Sequence, residues 1–334
     1  MDIFLQQLIN GLVLGSVYAL VALGYTMVYG ILELINFAHG EITMMGAMVA
    51  LAVIGALGLA APGIPGVMLL GAGLLVAIPA CMALGLLIER VAYRPLRNAP
   101  RLAPLITAIG VSIILQHVAL LIWGRNYISF PQIVPTQTYH LGATESSAAI
   151  TNVQIAIITL SIAMMAGLLT LVYKTRIGIA MRATSQNQQV AGLMGINVNS
   201  VISFTFIIGA GLGAVAGVMV GSYYGIAHYQ MGFLLGLKAF SAAVLGGIGN
   251  LGGAVLGGIL IGLIEALGSG YMGDVTNVCT LDKFLPGFSA MCEANSNASI
   301  FGSDYKDVYA FFVLILVLVF RPSGLLGERV ADRA

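Results

Sequence analysis

Charged side chains are scarce in this sequence. Of 334 residues only 8% are Asp, Glu, Lys or Arg, against 59% hydrophobic, with a mean hydropathy of +0.99. Soluble domains carry about 25% charged residues, so this composition excludes one. Lysine is rarest, present only as Lys174, Lys238, Lys283 and Lys306. None of them completes a G-x-x-x-x-G-K-[ST] loop, so the chain has no P-loop with which to hydrolyse nucleotide. His39, His117, His140 and His228 are isolated from one another and from cysteine, which argues against a His/Cys metal site. No catalytic dyad stands out, so neither an intramembrane enzyme nor a resident cofactor is expected. A net charge of +1 gives no reason to expect nucleic acid as a partner.

What the chain has instead is uninterrupted apolar sequence. A membrane-spanning helix needs about 20 apolar residues. Charge-free windows of that kind run over 8–32, 42–60, 64–88, 102–123, 151–173, 198–227 and 239–264, and a shorter one over 308–320. The runs are continuous rather than alternating, which excludes a β-barrel. The expectation is an all-α polytopic membrane protein of about eight spans in contact with lipid, a single transmembrane domain over 1–334. The first run follows only Asp2, with no basic segment before it, and reads as a retained span rather than a signal peptide.

The few charges are unevenly placed. Arg90, Arg94, Arg97 and Arg101 stand together without an acid; Lys174, Arg176 and Arg182 follow a later span; Arg321, Arg329 and Arg333 follow the last. Five acids between 271 and 307 face only Lys283 and Lys306. The positive-inside rule puts 90–101, 174–198 and the C-terminus in the cytoplasm, and 125–150, 271–307 and the N-terminus outside. Cys81 lies within a span and reads as a small packed residue. Cys279 and Cys292 lie in the outer acidic segment, where they could pair as a disulfide or remain two thiols.

Glycine is abundant, at 43 residues, and most of it at four-residue spacing suits close helix packing in lipid. Two segments ask for more. GGIGNLGG, 246–253, would cost about 1 kcal/mol per glycine as helix interior, so a break is expected there, with Asn250 capping a second half from about Leu251. Gly246, Gly247, Gly249 and Asn250 are then candidate pathway residues, since broken backbone at membrane depth belongs in protein or a wet cavity. NFAHGE, 36–41, is its counterpart: Asn36 can cap a helix running to about residue 60, and Gly40 permits an irregular turn. Asn36, Phe37, His39 and Glu41 join the candidates, with Met44 and Met45 as an apolar wall. On a regular helix His39 and Glu41 diverge by about 200°. Glu33 and Glu265 read first as buried carboxylates bonded to neighbouring helices, although ionisable groups within spans are functional candidates. Residues 174–198 form a polar loop with two apolar patches and a tight turn between Gly192 and Gly195, suited to docking a partner or simply to connecting two spans.

GYTMVYGILELINFAHGEITMMGA (24–47), IERVAYRPLR (88–97), LITAIGVSIILQ (105–116), LKAFSAAVLGGIGNLGGAVLGG (237–258) and FRPSGLLG (320–327) carry a likeness. Through them the chain resembles the H-type membrane permease subunits of branched-chain amino-acid ABC importers, over about 5–271 and 304–328. The resemblance implies a translocation pathway shared with a second, related permease. It implies two cytoplasmic ATPase subunits as motor and a periplasmic binding protein that delivers the amino acid. INFAHGE and LGGIGNLGG would line the pathway. Residues 181–197 would dock the ATPase, with Arg182, Ala183, Ala191, Gly192 and Gly195 as the matching positions. Two departures qualify it. The family's docking loop usually carries acids where this one reads Ser185-Gln186-Asn187-Gln188-Gln189, and 272–303 is an addition relative to shorter members. The alternatives are a permease of the same family for urea, short amides or other neutral amino acids, and an ion-coupled secondary carrier, which the shortage of paired carboxylates disfavours.

Overall fold

The computed structural model describes residues 2–277 and 305–327, apart from 62, 98, 101, 133–134 and 142–146. Cys279, Cys292 and nearly all of the 272–303 addition therefore lie outside the described residues. Six long helices come first: α1 (Asp2–Leu32), α2 (His39–Ala60), α3 (Gly66–Ile88), α4 (Leu102–Trp123), α5 (Asn152–Lys174) and, after a loop, α8 (Val198–Tyr224). The loop holds two short helices, α6 (Arg176–Gln186) and α7 (Gln188–Leu193). Beyond α8 come α9 (Met231–Gly246), α10 (Leu251–Val275) and α11 (Lys306–Phe320). A π turn over Glu89–Tyr93 and a 3-10 turn over Arg94–Leu96 extend α3.

Among the described residues, seven helices are long and apolar enough to cross a bilayer. The helices α9 and α11, of 16 and 15 residues, are shorter. At 1.5 Å per residue they span roughly 24 and 22 Å. The only sheet among the described residues is two small antiparallel pairings, Ile128–Ser129 with Ile226–Ala227 and Thr138–His140 with Ala149–Thr151. The architecture is the polytopic helical bundle that the apolar runs predict.

Glycine decides which helices meet. A side chain on Gly15 of α1 would stand 2.7 Å from the Ile259 Cα of α10, and one on Gly46 of α2 would stand 2.6 Å from the Ala214 Cα of α8. Backbones that close gain dispersion contacts, a main source of helix association where lipid removes the hydrophobic drive. The result is a centre of α1 and α8, flanked by α2, α9 and α10. Around it α3, α4, α5 and α11 turn Leu75, Leu121, Ile162 and Val319 outward, as a lipid-facing surface requires.

The two ends of the bundle are set by α1. At its start, Gln6 Oε1 accepts the Ala149 N–H at 2.8 Å, so 149–154 lies at that end. At its finish, the Ile31 carbonyl accepts from Gln188 Nε2 at 2.6 Å, and a side chain on Gly30 would stand 3.8 Å from the Gly249 Cα. The 188–193 helix and the 247–250 turn therefore share the end of the bundle where α1 stops.

Candidate functional site

After Leu32 the chain does not leave the bundle. Glu33 adopts φ +53°, a left-handed conformation unusual for a side chain other than glycine, and its N–H closes α1 on the Tyr29 carbonyl at 2.7 Å. Residues 33–38 then run back alongside α1, and α2 begins at His39. His39 packs against Gly24, eight residues before α1 ends, and near Gly209, eleven residues after α8 begins. At 1.5 Å per residue, the first turn of α2 lies about 12 Å inside one helix end and about 16 Å inside the other. A helix thus starts within the membrane-spanning bundle, at the motif singled out in the sequence.

The motif's polar groups face three directions. Asn36 is 2% exposed, and its Oδ1 accepts from the Ala38 N–H at 3.2 Å and from the Tyr93 hydroxyl at 2.9 Å. Asn36 is not the helix cap expected of it; Ala38 holds that position with no side-chain bond, because the turn through Phe37 delays the helix by two residues. His39 lies edge-on to Tyr25, ring centroids 5.0 Å apart, in a slot that only glycine at position 24 leaves open. Glu41 turns the other way, toward α4, where its Oε1 accepts from Gln116 Nε2 at 2.7 Å and Ser112 Oγ at 3.2 Å. Its place in the first turn also sets a carboxylate at the positive end of α2. Phe37 is half-buried against Phe240, and Met44 is fully buried, with Met45 beside it. Asn36 Nδ2, His39 Nε2 and Glu41 Oε2 are buried without a hydrogen-bond partner among the described residues. Each such orphan costs about 1–3 kcal/mol, a sign of a water or ligand in some state of the protein.

The second break lies where the sequence places it. Helix α9 stops at Gly246, Gly247 and Gly249 take φ +105° and +95°, and Asn250 Oδ1 caps α10 by accepting the Gly253 N–H at 3.0 Å. The break is not at the depth of NFAHGE. It is the turn of an antiparallel hairpin at the end of the bundle, with Gly249 exposed and Gly246 and Gly247 buried. Gly246 packs against Gly253 of α10, and Gly247 is covered by the C-terminal FRPSGLLG segment. The Leu325 and Leu326 N–H groups bond the Leu245 and Gly246 carbonyls at 2.9 Å, and Asn250 Nδ2 bonds the Leu326 carbonyl at 2.9 Å. Carbonyls left over at the end of α9 thereby gain donors.

In the 181–197 loop, Arg182 is exposed with its guanidinium 5.4 Å over the Tyr173 ring, Ala183 is half-buried, and Ala191 is buried. Gly192 is exposed, and Gly195 turns the chain at φ +85°. Asn187 caps α7, accepting from the Gln189 and Val190 N–H groups at 3.0 Å. The surface this presents is made by Leu193, 87% exposed, and Met194, 79% exposed, which the sequence reading passed over in favour of the glycines that bracket them.

Two polar networks were not anticipated. Lys238 of α9, 7% exposed, bonds Glu265 at 2.8 Å and lies 2.6 Å from Asp307, while the Tyr18 hydroxyl donates to Glu265 at 2.8 Å. Glu265 is indeed a buried carboxylate tied to neighbouring helices, whereas Glu33 is exposed, because α1 ends just before it. Near α3's finish Glu89, fully buried, pairs not with adjacent Arg90 but with Arg97, which the π and 3-10 turns fold back toward it. Ser203 donates to Glu89 at 2.7 Å, and Arg97 also reaches Asn199. Lys238 was the available signal for the first network, as the one charged residue in the stretch 233–264.

Comparison with known proteins extends these observations. Residues 7–319 match the family described as "Branched-chain amino acid transport system / permease component". The high-affinity branched-chain amino acid transport system permease protein BraD of Pseudomonas aeruginosa is 43% identical over 333 residues, covering 99% of this chain and 98% of that protein. The corresponding LivH protein of Escherichia coli K12 is 44% identical over 332 residues, covering 99% and 97%. A probable LivH permease of Methanocaldococcus jannaschii is 28% identical over 227 residues, 65% of this chain. No solved structure matches the chain. With the glycine-packed bundle, the buried NFAHGE helix start and the capped 246–250 turn, a match over nearly the whole length leaves one assignment: this chain belongs to the branched-chain amino acid transport permease family.

Proposed function

We propose that this chain is the transmembrane permease subunit of an ATP-driven importer of branched-chain amino acids in the bacterial inner membrane. In this reading it pairs with a second, related permease, two cytoplasmic ATPase subunits bind its 181–197 loop, and an extracytoplasmic binding protein delivers the cargo. The basic segments 90–97 and 174–182 and the C-terminus face the cytoplasm. The chain is a transport subunit that performs no chemistry on its cargo.

The observation that carries the pathway assignment is a helix beginning inside the bundle with Asn36, His39 and Glu41 buried around it and one polar atom of each unpartnered among the described residues. Helix starts of this kind present their positive end to anionic groups such as a carboxylate. Glu41 supplies the opposite sign for an ammonium, and Phe37 with Met45 an apolar wall. The 246–250 turn, next to the end of α1, acts as the cytoplasmic lip of the same route. ATP and the loaded binding protein drive the change between outward and inward access by favouring different states.

The test is radiolabelled leucine uptake into proteoliposomes that hold this chain with its co-purifying subunits. Uptake should require both ATP on the cytoplasmic side and binding protein on the other. Uptake that follows an imposed proton or sodium gradient and ignores ATP sinks the importer reading. Failure with leucine, but ATPase stimulation by a binding protein loaded with urea or an amide, retains the machine and changes its cargo.

A further inference from the structure

We infer that Gln188 is the positioning residue through which movement of the 176–197 loop reaches the α1–α2 junction, an inference that rests on the importer reading above. The loop is held to the bundle in two different ways. Its first helix, α6, is seated by buried Met181 and Thr184. The second, α7, buries only Ala191 and carries Leu193 and Met194 outward. Among the described residues, one hydrogen bond takes α7 to another part of the bundle, from Gln188 Nε2 to the Ile31 carbonyl at 2.6 Å.

The place where that bond lands gives it meaning. The Ile31 carbonyl belongs to the last turn of α1, where the helix leaves its carbonyls without internal donors. Two residues on, Glu33 holds its left-handed φ of +53°, and from it the chain returns into the bundle toward Asn36 and His39. A non-glycine residue in that conformation is held there by its surroundings, which makes it a place where a small shift changes the chain's direction. One residue before Ile31, Gly30 lies against Gly249 of the 246–250 turn. The last turn of α1 therefore touches both breaks, and Gln188 grips it from the loop.

The lever is short and stiff. Asn187 caps α7 with two hydrogen bonds, so the six residues Gln188–Leu193 move together. A force on Leu193 and Met194 at one end is passed to the Ile31 carbonyl at the other, over about 9 Å of helix. The run Ser185 to Gln189 carries no charged side chain. Its connection to the bundle is thus an uncharged amide donating to a helix end. A bond serving only stability would change how long the complex survives, but not how much transport each ATP yields.

The experiment compares wild type, Gln188→Leu and Gln188→Lys in the whole reconstituted importer, measuring ATP hydrolysis and leucine uptake on the same vesicles. Gln188→Leu keeps the volume and removes the donor. The expected result is retained ATPase subunits, hydrolysis within about twofold of wild type and uptake reduced about tenfold, the scale of one lost hydrogen bond. Gln188→Lys restores a donor, with a charge favoured at a helix C-terminus, and should return the ATP-per-leucine ratio to within about threefold. An unchanged ratio in Gln188→Leu overturns the inference, as does equal damage in both variants. Loss of the ATPase subunits from Gln188→Leu makes it a docking contact and also overturns it. Wild-type uptake that ignores ATP overturns the importer reading and this inference with it.

Discussion

Replacing Lys238 with methionine should destabilise the bundle strongly. Lys238 is 7% exposed and Glu265 is 1% exposed, and their charged atoms are 2.8 Å apart. Removing one partner of so buried a pair leaves an uncompensated charge, at a cost of about 3–5 kcal/mol. The Tyr18 hydroxyl would still donate to Glu265, which puts Lys238→Met toward the lower end of that range. Asp307 is less demanding, since its side chain is 33% exposed and can be solvated, so Asp307→Asn should cost about 1 kcal/mol or less. Glu265→Gln leaves Lys238 paired with Asp307 and falls between, at about 1–2 kcal/mol.

The double variant decides whether this is a charge effect. Lys238→Met with Glu265→Met removes both ions and restores an apolar interior, leaving mainly the Tyr18 hydroxyl without its acceptor. It should recover all but about 1–2 kcal/mol of wild-type stability, although it carries two substitutions. Equilibrium unfolding by SDS in mixed micelles measures these four variants, and the single Glu265→Met that closes the double-mutant cycle, on one scale. The coupling between positions 238 and 265 should reach about 2 kcal/mol. Additive losses, or a Lys238→Met protein as stable as wild type, would show that the pair is not buried as a pair and refute the reasoning.

Gly15→Leu should abolish accumulation of monodisperse protein, since its first side-chain carbon would stand 2.7 Å from the Ile259 Cα; size-exclusion yield after detergent extraction is the measure. Leu193→Asp should remove the ATPase subunits from an affinity pull-down while leaving the unfolding midpoint of the permease unchanged, because the side chain is 87% exposed. Asn250→Ala removes both the α10 cap and the bond to the Leu326 carbonyl, a loss of about 1–2 kcal/mol, seen as faster proteolysis of the C-terminal segment. Asn36→Ala, His39→Ala and Glu41→Ala should each lower uptake in an assembled complex, and normal uptake in all three would leave the motif a structural turn.

The sequence made the breaks legible because each is written in local chemistry. Asn250 followed by Leu251 announces a cap, and the bond to the Gly253 N–H is within three residues of it. His39 and Glu41 diverge because two residues on a helix must. What stayed hidden depends on distant partners. Tyr18 and Glu265 are separated by 247 positions, and Gln188 and Ile31 by 157, so nothing local marks either pair. The depth of each break was hidden for the same reason. One is buried among the glycines of α1 and α8, the other closed by a C-terminal segment more than seventy residues later.

Hydropathy marks the spans but ranks them in the wrong order for burial. Helices α1 and α8 are less hydropathic than α3, α4 and α5, yet 89% of the most apolar window of α1 is buried, against 22% for α4. In water the most apolar helix goes to the middle; in a bilayer the lipid accepts large apolar side chains as readily as protein does. The centre is therefore left to helices that gain most from one another's backbones. In α1 these contacts come from Gly11, Gly15 and Gly24, and in α8 from Gly209 and Gly217. Small residues also leave room for polar side chains to be buried between helices, as Gly24 does for His39 and Gly232 does beside Glu41. The glycines that bring the central helices together are thus the same feature that lets a helix begin among them with an imidazole and a carboxylate in its first turn. A leucine-rich α1 would span the membrane as well, but would have no place for NFAHGE.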